Sequence, residues 1–107
     1  MAVIAQPVWA HAVLMQSSPT ANSTVKGPDV PIRLRFNVRV DGLRSKLTLI
    51  APDGHQVGLP STVQPQPDVL GNDASGLKPG AYKLLWQVLA SDGHISRGEV
   101  DFTVTAP

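Results

Sequence analysis

Apolar and polar positions alternate with a period of two along most of this chain. Ile32, Leu34, Phe36 and Val38 alternate with Arg33, Arg35 and Asn37, which predicts a half-buried strand over residues 31–38. Arg33, Arg35 and Arg39 then form its solvated face. Tyr82, Leu84, Trp86 and Val88 repeat the pattern, and the opposite face also carries Leu85 and Leu89, so residues 81–90 read as a central strand. Shorter runs predict strands over 11–15, stopped by Pro19, and over 46–50, 56–59 and 99–104, with a brief one near Val69 and Leu70. Asp41-Gly42 and Pro52-Asp53-Gly54 read as turns, and Lys78-Pro79-Gly80 as a type II turn. Residues 20–29 read as loop, and 60–76 as a long connection. No stretch has a helical period. About seven short strands separated by turns predict an all-β fold, an immunoglobulin-like Greek-key β-sandwich.

Composition narrows the chemistry. A chain of 107 residues holds one domain with one core. The absence of cysteine excludes disulfides, thiolate metal sites and thiol catalysis. A net charge of +1 gives no reason to expect a nucleic-acid partner. Residues 1–10 are apolar and uncharged, with Val8 and Ala10 at the −3 and −1 positions that a signal peptidase accepts before His11. They read as a signal-peptide remnant or an N-terminal extension ahead of a domain at 11–107. No apolar run approaches the ~20 residues that a membrane-spanning helix needs.

One tripeptide carries candidate chemistry. Asp92-Gly93-His94 sets a carboxylate and an imidazole two residues apart, roughly 6.5–7 Å on extended backbone, close enough for both to bend onto one ion. The opposing reading is a hairpin turn, since Asp-Gly is the commonest such signal. The chain supplies its own comparison, because Asp53-Gly54-His55 repeats the tripeptide between two apolar runs and reads as a plain turn. On these residues alone both readings of the second copy stand.

A longer series of residues adds to this. His11-Ala12-Val13-Leu14 is followed by Ser17-Ser18-Pro19, then Leu34-Arg35-Phe36, then Ser45-Lys46-Leu47-Thr48-Leu49 with Asp53-Gly54. Leu77, Pro79-Gly80 and Tyr82 come next, then Trp86, Ser91-Asp92, His94, Gly98, Phe102 and Val104. From His11 to the C-terminus the series resembles the CopC/PcoC family of periplasmic copper-binding proteins. The resemblance implies a non-enzymatic Cu(II) carrier or buffer in the bacterial periplasm, acting in copper homeostasis or resistance. Its metal ligands would be His11, through α-amine and imidazole as a histidine brace, together with Asp92 and His94. It also implies a link to an inner-membrane copper protein of the CopD type, and a monomer is expected.

Departures from the family pattern modify these expectations. Some members carry a methionine-rich Cu(I) stretch, whereas this chain has only Met1 and Met15, so no Cu(I) site is expected and Met15 is assigned to the core. Where some members place a glutamate after the residue matching Phe36, this chain reads Asn37-Val38-Arg39. Ile95 replaces a frequent proline, and in a chain starting at Met1 the His11 nitrogen is an amide. Two other functions compete with the carrier. A histidine-brace oxygenase would use the same nitrogens, although an anionic Asp92 favours Cu(II) over the accessible Cu(I) that oxygen activation needs. An immunoglobulin-like interaction module would leave the His and Asp residues incidental.

Overall fold

The computed structural model describes residues 12–60 and 63–107. Its strands are β1 (Leu14–Ser18), β2 (Ser23–Lys26), β3 (Val30–Phe36), β4 (Lys46–Ile50), β5 (Gln56–Leu59), β6 (Val69–Ala74), β7 (Gly80–Leu89) and β8 (Ile95–Thr105). They form a three-stranded sheet in the order β1-β3-β6 and a five-stranded sheet in the order β2-β8-β7-β4-β5. Among the described strands the chain changes sheet at almost every connection; only β4–β5 and β7–β8 are hairpins within one sheet. This is an all-β, immunoglobulin-like sandwich.

The period-two pattern explains the core. Ile32, Leu34 and Phe36 of β3 face Leu47 and Leu49 of β4, Leu84, Trp86 and Val88 of β7, and Val100, Phe102 and Val104 of β8. All are buried, because alternate residues of a strand point to the same face. β7 lies at the middle of its sheet, paired to β4 on one side and to β8 along its whole length on the other. Its second face, with Leu85 and Leu89, is half-buried, as a central strand requires.

The strands that differ from expectation are those that neighbours impose. β2 falls in the segment read as loop. Its sequence, Ser-Thr-Val-Lys, is held by parallel pairing with β8 at the sheet edge, with only Val25 packed on the core. β6 extends through Gly71, Asn72 and Asp73, residues poor in strand propensity, because it pairs with β3 from Val69 to Ala74. β8 starts at Ile95, four residues before the predicted 99, so β7 and β8 join in a tight hairpin rather than a long connection.

Met15 also departs from its expected role, for the register shift between Leu14 and Gln16 turns Leu14 toward the core and leaves Met15 60% exposed. Arg33 and Arg35 do lie on the outer face of β3. They reach across to Asp73 at 3.0 Å and Asp68 at 3.5 Å, exposed pairs that contribute little stability.

Candidate metal centre

The two Asp-Gly-His tripeptides fold into the same turn. In each, the aspartate Oδ1 accepts the histidine backbone N–H, at 2.9 Å for Asp53 and 3.0 Å for Asp92. In each, an alanine and the histidine close the hairpin: Ala51 N–H to His55 O and Ala90 N–H to His94 O, both 2.8 Å. Gly54 and Gly93 have φ of +89° and +91°, a conformation that glycine adopts without a Cβ penalty. Sequence and backbone therefore make two equal turns, and the local fold alone does not select one of them as a metal site.

Their positions separate them. β7 runs between the two turns, since Ile50 pairs with Lys83 near its start and Leu89 with Ile95 at its end. Ten residues of strand put the turns at opposite ends of the sandwich, roughly 30 Å apart. His55 therefore shares no site with His94, in line with its reading as a turn residue.

At the second turn the side chains also meet. Asp92 Oδ1 lies 3.4 Å from His94 Nδ1, closer than the strand spacing suggests because the turn folds the carboxylate back over the imidazole. His94 is more than half exposed and Asp92 about one third, so an ion in solution can reach both. The Asp92 carboxyl is held below its ordinary value, first by the backbone N–H of His94 and further by the imidazole, with desolvation opposing both. It is thus an anionic oxygen donor down into the acid range. Among the described residues no group of three His, Cys, Asp or Glu side chains comes together. One carboxylate and one imidazole, with no soft sulfur donor, suit Cu(II) or Zn(II) better than Cu(I).

The expected third ligand, His11, lies outside the described residues. Its chain neighbour does not. Ala12 is buried at this end of the sandwich, and its N–H donates at 2.9 Å to Oγ of Ser96, the second residue of β8 and two after His94 in the chain. The N–H of Val13 donates to Asn37 Oδ1 at 2.8 Å, and Asn37 N–H returns a bond to Val13 O at 3.1 Å. Ser96 did not stand out in the sequence, and Asn37 did so only as part of the segment where some family members place a glutamate. Ser96 carried one signal: it sits on the inward-facing parity of β8 with Val100, Phe102 and Val104, where a polar side chain needs a partner.

Comparison with known proteins gives a consistent outcome. The CopC domain family matches residues 14–105. Protein YobA of Escherichia coli K12 is 32% identical over 105 residues, covering 95% of this chain and 85% of YobA. The crystal structure of CopC from Methylosinus trichosporium OB3b superposes with a TM-score of 0.80 at 33% identity, covering 90% of this chain and 95% of that one. PcoC, a methionine-rich copper resistance protein from Escherichia coli, gives 0.72 at 29% identity, covering 90% of this chain and all of PcoC. With two sheets in the same arrangement and a family match over most of its length, the chain belongs to the CopC family.

Proposed function

We propose that this protein carries or buffers Cu(II) in the bacterial periplasm, as part of copper resistance or homeostasis, and that it is not an enzyme. Asp92 and His94 supply a carboxylate and an imidazole; His11, once residues 1–10 are removed, supplies an α-amine and a second imidazole. The observation that carries this reading is the tether of Ala12 to Ser96. It brings the chain that follows His11 to the same end of the sandwich as the Asp92–His94 turn. The relation to CopC of Methylosinus trichosporium and to the copper resistance protein PcoC supports copper as the cargo. A tetragonal set rich in nitrogen is the environment Cu(II) prefers, and a bound carboxylate stabilises the divalent ion further. Release to an inner-membrane copper protein of the CopD type completes the proposed role.

Competition against a chelator of moderate strength tests it. A chain starting at His11 should retain Cu(II). Asp92→Ala should lose affinity about 10- to 100-fold while its melting temperature stays within a few degrees, because an exposed turn carboxylate contributes charge to the site and little packing. Unchanged affinity with a lowered melting temperature would make Asp92 a turn-forming residue only. The oxygenase reading has a separate check, since the copper-loaded chain with ascorbate should produce no more peroxide than free copper does.

A further inference from the structure

The first described residues are held by side chains from both sheets. Ser96 belongs to β8 in the five-stranded sheet, and Asn37 follows β3 in the three-stranded one. Between them pass Ala12, 5% exposed, and Val13. The Ser96 side of this clamp is the demanding one. Its residue is 9% exposed and Ala12 is buried, so the Ala12 N–H has little access to water in place of the hydroxyl. Ser96 Oγ thus gives one of its lone pairs to a backbone donor.

We propose that Ser96 is a positioning residue for the copper site, acting through Ala12 on the direction in which the chain leaves toward His11. The inference rests on the function proposed above. Ser96 touches no metal in this scheme. Its hydroxyl fixes the residue next to the amine-bearing histidine from the second residue of β8, and His94 immediately precedes that strand, so the start of β8 is the common reference for both parts of the donor set. A chelating N-terminus held in this way loses less freedom when the ion binds, and groups that orient metal ligands typically matter 10- to 100-fold in affinity. Asn37, whose bond to Val13 is exposed to water, is the weaker half of the clamp.

The test compares Ser96→Thr with Ser96→Val in chains starting at His11. The two replacements have nearly the same shape and both suit a strand, but only threonine keeps the hydroxyl. With Cu(II) alone as the probe, Ser96→Thr should bind like the parent. Ser96→Val should bind about 10- to 100-fold more weakly, with an altered nitrogen pattern in its electron paramagnetic resonance spectrum. In the metal-free proteins, amide hydrogen exchange at Ala12 should be slow for serine and threonine and fast for valine. Equal affinities and spectra for valine and threonine in folded proteins would overturn the positioning role, as would equal exchange at Ala12. Failure of the parent chain itself to hold Cu(II), with Ala12 protected as expected, would instead overturn the copper function on which the role depends.

Discussion

Cutting the chain before His11 should tighten Cu(II) binding by about two orders of magnitude or more relative to the chain starting at Met1. The cause is the chemistry of one nitrogen. In the longer chain it is a peptide amide, whose lone pair is delocalised into the carbonyl and does not coordinate without losing its proton. In the shorter chain it is an amine that forms a chelate ring with its own imidazole, so the second donor is delivered at high effective concentration. The tether of Ala12 to Ser96 adds to this by starting the terminus at the end of the sandwich that holds Asp92 and His94. The advantage should also depend on pH. A free α-amine titrates at about 7.7–8.0, and the metal must displace its proton, so the shorter chain should gain affinity as pH rises toward that range. Isothermal competition titrations and electron paramagnetic resonance of both forms measure it. Identical affinities and nitrogen counts would remove His11 as a bidentate ligand.

Much of this fold follows from side-chain alternation, and where alternation misled, a neighbour had decided the outcome. β4 and β5 occupy the residues that the pattern marks, since each has a clear apolar face and a turn between them. β2 and the second half of β6 were hidden because their residues are polar or small, and pairing with β8 and β3 determines their conformation. Asp92 and His94 were legible only as an ambiguous tripeptide. The structure confirms that ambiguity locally, because the Asp53 turn repeats the same hydrogen bonds. What separates the two turns is distance along β7 and the arrival of Ala12 beside one of them, a long-range fact with no short-range signal. Ser96 was missed for a related reason, as its partner lies 84 residues away in the chain.

Trp86→Ala should cost about 3–5 kcal/mol of stability and leave Cu(II) affinity unchanged in the fraction that stays folded. Trp86 is 8% exposed and meets Phe36 edge to face, with ring centroids 5.1 Å apart and planes at 68°. Directly across the β7–β8 ladder lies Gly98, on the inward-facing parity of β8. A Cβ placed there would fall on Cζ2, Cε2 and Nε1 of the indole, so the ring occupies the space that any other residue at 98 would fill. Tryptophan and glycine at these two positions are thus one packing unit. Gly98→Ala alone should destabilise by about 1–3 kcal/mol through overpacking, since the ring has Phe36 beside it and little room to retreat. In the Trp86→Ala background the same change should be close to neutral or stabilising, because the added methyl enters the vacated volume. Chemical denaturation of the four proteins measures this coupling, expected at about 1–3 kcal/mol in favour of the double variant. Additive losses would show that the indole moves aside freely and that Gly98 serves another purpose. A fall in copper affinity for Trp86→Ala with unchanged stability would move Trp86 from the core to the metal site.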